Sequence, residues 1–179
     1  MNPVLSALPA ALHADGPAAE KGQRPDLYGW LVGDWETDIL VHPPGGGRHE
    51  GRGEIHAGWI LEGRAVQDVW MIPRRSDRRP DAPVLPLAGN WYGTTIRAHD
   101  PAIDAWRIFW IDPATNSFRQ QIGRAQGADI VQEGQGEVGT RSRWSFTEIG
   151  PRSFHWLGEA SSDSGASWHL LVEAIARRV

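Results

Sequence analysis

The chain has 179 residues, of which 22% are charged, and a formal net charge of −4. This length suits one domain with a sizeable core, and the mild acidity excludes a general attraction to nucleic acid or to an anionic membrane. Cysteine is absent, so disulfides and thiolate chemistry are excluded, and no apolar run approaches the roughly 20 residues of a membrane-spanning helix.

Residues 1–26 differ in composition from the rest of the chain. Their run "VLSALPAAL" is apolar, but no Lys or Arg precedes it and Pro9 interrupts it, unlike a secretory signal peptide. We interpret residues 1–26 as a flexible arm with a short helical segment, followed by a single domain over residues 27–179. We expect a cytoplasmic protein.

From Trp35 onward the hydrophobic pattern has a period of two, which is typical of half-buried strands. Turn-like breaks rich in Gly, Pro, Asp and Asn separate the runs. A plausible hairpin surrounds Leu61-Glu62-Gly63. The predicted strands are Trp35–Val41, Glu50–Ile60, Gly63–Ile72, Trp91–His99, Asp104–Ile111, Ser117–Ala125, Ala128–Gln135, Ser142–Glu148, Ser153–Ser161 and Ser167–Arg177.

The segment Pro73–Asn90 interrupts this succession. It holds four prolines and four arginines, and proline cannot donate to a strand ladder, so it predicts a long loop. A loop of this length is either a lid or binding loop, or a surface excursion. Its arginines are accompanied by Asp77 and Asp81, so we predict no nucleic-acid site.

Short connections favour antiparallel pairing between neighbours in sequence. A meander of this many strands removes its edges when it closes on itself. The sequence therefore predicts an all-β fold: a closed antiparallel up-and-down barrel of roughly eight to ten strands, preceded by a short helical segment.

Ten tryptophans are spread along the chain. In "AWRIFWID" two of them share one strand face, and in "RWSFTE" and "FHWLGEA" a tryptophan shares a face with a phenylalanine. If these faces point inward, the barrel has an aromatic interior that can hold a ligand. The aromatic ligand-binding candidates are Trp70, Trp106, Trp110, Trp144 and Trp156.

The third predicted strand allows two arrangements. If Arg64, Asp68 and Trp70 point inward, the charged pair can hold a ligand carboxylate or act in acid–base chemistry. If the opposite face points inward, Gln67 becomes the polar group of the cavity.

The fourth strand adds two polar side chains. Tyr92 offers a donor that can orient a carbonyl or a phenol. We expect Arg97 to be an exterior or rim charge.

The last two strands carry two His–Glu combinations. His155 and Glu159, and likewise His169 and Glu173, are four residues apart and so share a strand face. Such pairs can act as acid–base devices, or their members can pair across strands with arginines on the outer surface. No two histidines show a close ligand spacing, so we predict no metal site.

The pair Gly33-x-Trp35 at the start of the first strand resembles the Gly-x-Trp signature of lipocalins and other calycins. The pieces "GDWE", "LEGRAVQDVW", "GTTIRAHDPAIDAWRIFWIDP" and "SFHWLGEASSDSGASWHLLVEAIARR" resemble the DUF1579-type lipocalin-like family between Gly29 and Arg178. This implies a calycin barrel whose base Trp35 closes. The chain also resembles nitrobindin-like haem proteins, which implies haem ligation by His169, although glycines follow the Gly-x-Trp there and Glu36, Thr37 and Asp38 follow it here.

No phosphate loop, dinucleotide fingerprint or Gly-x-Ser-x-Gly motif is present. The first functional hypothesis is a cofactor-free binding protein for a small aromatic or polycyclic molecule, with no nucleic-acid or membrane partner; calycin barrels often form homodimers. The second is a cofactor-free lyase, isomerase, cyclase or hydratase, and the third is haem binding. The candidate catalytic residues are Asp68, Tyr92, His155, Glu159, His169 and Glu173.

Overall fold

The computed structural model describes residues 3–19, 27–79, 90–137 and 139–179. Parts of the predicted arm, residues 1–2 and 20–26, and of the predicted long loop, residues 80–89, lie outside these ranges. Within them, 3-10 turns occur at Gly29–Leu31 and Arg75–Asp77. The other elements are α1 Pro3–Leu12, β1 His13–Ala14, β2 Gly33–Val41, β3 His49–Ile60, β4 Ala65–Met71, β5 Tyr92–Asp100, β6 Ala105–Asp112, β7 Ser117–Gln126, β8 Asp129–Gln135, β9 Arg141–Thr147, β10 Ser153–Ser161 and β11 His169–Arg178.

Strands β2 to β11 close into a ten-stranded antiparallel barrel. Each pairs with the next strand in sequence, and β11 pairs back with β2, so the ring has no free edge. The closed up-and-down barrel predicted from the sequence is confirmed. The hairpin between β3 and β4 also turns at the predicted residues, where Leu61, Glu62 and Gly63 all have positive φ.

The N-terminal segment contacts the barrel from outside. β1 pairs with the end of β3, so that His13 lies opposite Ile60. Leu61 N–H donates to the Leu12 carbonyl, which ties the end of α1 to the β3–β4 turn. Helix α1 has ten residues, and no helix in the described ranges is long and apolar enough to cross a bilayer.

The approach to β2 plugs one end of the barrel, which we call the closed end. Tyr28, Leu31 and Trp35 are all buried there. Trp35 Nε1 donates to the Leu31 carbonyl at 2.8 Å, and its ring meets Phe154 edge to face with centroids 4.9 Å apart. Trp35 is therefore part of the packed base, as the Gly-x-Trp resemblance implies.

Arg178 at the end of β11 fastens this plug. Its guanidinium lies 4.0 Å from the centroid of the Trp35 ring, which is a favourable cation–π distance. It also donates to the carbonyls of Trp30 and Val32, at 2.7 and 2.8 Å. These bonds satisfy carbonyls of the short turn that no strand ladder reaches.

Two glycines allow indole rings to lie directly against the barrel wall. A Cβ at Gly93 would be 2.5 Å from the ring of Trp110, and a Cβ at Gly158 would be 2.8 Å from the ring of Trp156. Neither glycine has positive φ. Space, rather than backbone conformation, therefore requires glycine at both positions.

We expect Gly93→Ala to destabilise the protein by about 1–3 kcal/mol, because the added methyl group displaces the Trp110 ring, which packs against Gly93. Gly58→Ala is the matched control in a neighbouring part of the sheet, since nothing lies within 4 Å of its added Cβ. Urea unfolding measures both variants. Equal stability of the two would show that Trp110 does not pack on Gly93.

Candidate functional site

Strand register decides which face of each strand points into the barrel. Trp70 on β4 lies opposite Ile55 on β3, which is fully buried. Alternate residues of a strand share a face, so Asp68 points inward together with Trp70. Gln67 points outward and donates to Thr94 Oγ1 at 2.9 Å. The arrangement with Gln67 as a polar group of the cavity is therefore wrong.

A cavity of about 580 Å³ occupies the half of the barrel away from the closed end. Its mouth lies between the β6–β7 turn, at residues 114–117, and the β8–β9 turn, where Glu137 and Thr140 line it. This volume falls in the range of small-molecule pockets. The inner walls include Trp70, Trp91, Thr95, Arg97, Trp110, Ser142, Trp144, Trp156, Gly158 and Val172.

Five tryptophans form a connected group around this cavity. Trp156 contacts Trp70, Trp91 and Trp144, with ring centroids 5.2, 5.8 and 5.9 Å apart. Trp110 contacts Trp91 and Trp144, each at 6.0 Å. Most of these contacts are edge to face, the arrangement favoured by the ring quadrupoles. The indoles therefore hold one another in place and still leave the cavity open.

The indole N–H groups of these five tryptophans form no hydrogen bond within the described part of the chain. Trp30 and Trp35 at the closed end donate to backbone carbonyls. For the five cavity tryptophans, no hydrogen bond of the indole N–H to a described residue is present. Unlike Trp30 and Trp35, these tryptophans are held in place by ring contacts rather than by backbone carbonyls of the described chain.

A buried ion pair lies at the inner end of the cavity. Arg97 is 2% exposed and Asp68 is fully buried, and Arg97 donates to Asp68 Oδ2 at 2.6 Å. Asp68 Oδ1 also accepts from the backbone N–H of Thr95 at 3.2 Å. The expectation that Arg97 is an exterior or rim charge is wrong. Its partner lies 29 residues away in sequence, and only the pairing of β4 with β5 brings them together.

Two aromatic rings and one side-chain amide surround the Arg97 guanidinium on the side of the closed end. It lies 5.1 Å from the ring centroid of Tyr28 and 5.6 Å from that of Phe146. Its Nε donates to Gln132 Oε1 at 3.4 Å. Burial raises the pKa of Tyr28 well above its usual range. Tyr28 Oη and Gln132 Nε2 are buried without a hydrogen-bond partner in the described chain.

Ion pairs surround the mouth. Arg119 pairs with Glu137, and Arg141 pairs with Glu133 at 2.8 Å. Just inside the mouth, buried Asp112 caps the β6–β7 turn by accepting hydrogen bonds from the next few residues. The turn on this side of the mouth is therefore held by its own side chain.

Three other predicted site residues lie away from the cavity. Tyr92 points outward, is 46% exposed and lies under the Arg78 guanidinium at 5.0 Å. Arg64 precedes β4 and pairs with Glu62 in the exposed hairpin turn. Trp106 is buried near the closed end, with its ring centroid 5.1 Å from that of Tyr28. None of the three lines the cavity, because each lies on an outer face or at the packed end.

Neither His155 with Glu159 nor His169 with Glu173 forms an acid–base pair, whereas the alternative interpretation, cross-strand pairing with an arginine, holds for Glu159 and Arg143. Glu173 instead receives hydrogen bonds from His42 and His155, at 2.9 and 2.8 Å. Its neighbours in sequence on β11 are buried, so this cluster lies on the outer surface. A bulge between Gly158 and Glu159 shifts the β10–β11 register and separates the positions that even spacing would align.

Glu159 and His169 have other surroundings. Both carboxylate oxygens of Glu159 accept from Arg143, at 2.7 and 2.8 Å, across the β9–β10 pair. Glu159 touches the margin of the cavity, but this bidentate pair engages its charge. His169 is exposed.

The described cavity wall contains no histidine. Haem ligation by His169 therefore does not fit this site, because an exposed imidazole outside the cavity cannot meet an iron bound within it. In the described part of the chain, no three His, Asp or Glu side chains converge as metal ligands.

Comparisons with known proteins support the fold. No family model and no curated protein matches the sequence. Among solved structures, the S-type phycobiliprotein lyase CPES from Guillardia theta is similar with a TM-score of 0.51 at 8% identity, covering 84% of this chain and 89% of that chain. Rv2717c from M. tuberculosis is similar with a TM-score of 0.53 at 11% identity, covering 84% and 94%. At these identities the similarity shows a shared barrel fold and nothing finer.

We expect Arg97→Met to destabilise the protein by about 3–5 kcal/mol, because it leaves the Asp68 carboxylate buried without its cation. The double variant Arg97→Met/Asp68→Leu should recover most of that loss, since it removes both buried charges. Urea unfolding compares the two. A single variant as stable as the double variant would contradict the buried pair.

The Glu173 cluster predicts a dependence of stability on pH. Partial burial alone would raise the pKa of Glu173, but the hydrogen bonds from His42 and His155 outweigh it and lower this pKa. A lowered pKa in the folded state stabilises the fold above the ordinary pKa of glutamate, and this contribution disappears as the pH falls through the lowered value.

Glu173→Gln should therefore cost roughly 1 kcal/mol near pH 7, and this difference should shrink below about pH 4. Glu50→Gln, which changes an exposed carboxylate, is the control and should cost little at either pH. Unfolding free energies across this pH range measure the effect. A difference that stays undiminished well below the ordinary pKa of glutamate would contradict it.

Proposed function

We propose that this protein binds a small, largely apolar aromatic molecule in the tryptophan-lined cavity. The observation that carries this proposal is the connected group of five indoles around an open space of about 580 Å³. If these residues served only to stabilise the fold, side chains would fill this space, because an unfilled cavity loses van der Waals contacts.

The cavity is preorganised for aromatic ligands. Indole rings present flat, polarisable faces, and their rotamers are restricted by one another and by close contact with the wall at Gly93 and Gly158. The cavity side chains therefore lose little conformational entropy when a ligand binds. Aromatic contacts with the indoles add to the burial of its apolar surface.

Binding has more support than catalysis by acid–base residues. Of the six catalytic candidates, Asp68 alone lies at the inner end of the cavity, and Arg97 engages its charge. His155 and Glu173 are on the outer surface, Tyr92 points outward, and Glu159 is held by Arg143. The fold also occurs in a phycobiliprotein lyase, but at 8% identity that likeness bears on the fold alone.

Calorimetric titration with a neutral tricyclic probe, 9-anthracenemethanol, tests the proposal. We expect saturable binding to the wild-type protein and about three- to tenfold weaker binding to Trp156→Leu, because one aromatic wall is lost. Trp168→Leu is the control, since Trp168 lies outside the cavity beneath Arg143. Absence of binding, or equal effects of the two substitutions, would contradict the proposal.

A further inference from the structure

The inner wall of the cavity offers two polar groups that can donate to a ligand, the Arg97 guanidinium and the Thr95 hydroxyl. The Ser142 hydroxyl already donates to the Gln135 carbonyl and accepts from Gln121. The acidic side chains at the mouth, Glu137 and Glu159, are each bound by an arginine. A ligand that fits this wall therefore needs acceptor atoms more than donors.

Arg97 is the stronger of these two donors, and it lines the inner end of the cavity. Its Asp68 partner does not line the cavity, whereas Arg97 does. A guanidinium has five N–H donors, and within the described chain they reach one oxygen each of Asp68 and Gln132. The rings of Tyr28 and Phe146 cover the guanidinium from the closed end. A ligand can therefore contact the guanidinium only from the side of the cavity.

Resting on the proposed binding function, we propose that the ligand class is the aromatic carboxylic acids, bound with the carboxylate on Arg97 and the ring system among the tryptophans. A guanidinium matches the two oxygens of a carboxylate in a planar, bidentate arrangement. The indoles exclude water from this contact, which strengthens it. Thr95 lies beside Trp110 on the neighbouring strand and adds a hydroxyl to the same wall.

The depth of Arg97 also sets the orientation of the ligand. Along β5, Arg97 lies two residues nearer the closed end than Thr95, which is paired with Trp110. The acid therefore enters first, and the ring system stops in the layer of Trp70, Trp110 and Trp156.

A matched pair of probes tests this inference. 9-Anthracenecarboxylate and 9-anthracenemethanol have the same ring system and differ in charge. Titrated at neutral pH, the wild-type protein should bind the carboxylate at least about tenfold more tightly, the effect of one charge-assisted hydrogen bond. In Arg97→Met/Asp68→Leu, this preference should disappear while the affinity for the alcohol changes less than about threefold.

The outcomes separate the two proposals. If the wild-type protein binds neither probe, the proposed function fails. If it binds the alcohol as tightly as the carboxylate, or if the double variant keeps the preference, the proposed function stands and the carboxylate inference is overturned. 9-Anthracenesulfonate is a third probe, and tighter binding of it than of the carboxylate would overturn the choice of acid.

The wild-type protein alone provides a second test, which applies even if the double variant does not fold. With Arg97 facing the acid, the affinity for 9-anthracenecarboxylate relative to the alcohol should fall as the pH is lowered through the pKa of the free acid. Without a cation there, the apolar cavity would prefer the neutral acid, and the relative affinity would rise. A rise would overturn the inference.

Discussion

The ion pair between Arg97 and Asp68 lies at the boundary between the two halves of the barrel. Below it, toward the closed end, Tyr28 and Phe146 pack on the guanidinium. Above it, the interior opens into the tryptophan-lined cavity. Two opposite charges in an apolar interior are tolerated only when each is paired and hydrogen-bonded, and that requirement ties β4, β5 and β8 to one arrangement at this depth.

The aromatic residues serve different purposes on the two sides of this boundary. At the closed end, Trp30, Trp35 and Phe154 form edge-to-face contacts, and the two indole N–H groups are satisfied by backbone carbonyls. At the open end, the indoles contact one another around empty space, and their N–H groups have no partner in the described chain. Satisfied donors are typical of a packed core, whereas aromatic walls around an open volume are typical of a ligand site.

Much of the fold was predictable because strand signals are local. A period of two, turn residues and the hairpin at Leu61–Gly63 each depend on a few adjacent residues. The individual site was less predictable. Trp70, Trp110 and Trp156 were expected in the cavity and line it, whereas Trp106 shares a strand face with Trp110 but lies at the packed end. Periodicity identifies a face, and it does not show where along the barrel a side chain lies.

The sequence by itself determined the strand succession, the aromatic character of the interior and the plug formed by Trp35. Only the tertiary structure decided that Arg97 points inward, that Asp68 is its partner and that His155 and Glu173 belong to the outer surface. These outcomes depend on the register between paired strands and on the bulge at Gly158, because a charged residue enters the barrel only where another strand supplies its counterion. The residues next to Arg97 in the sequence do not indicate that Asp68 is its counterion.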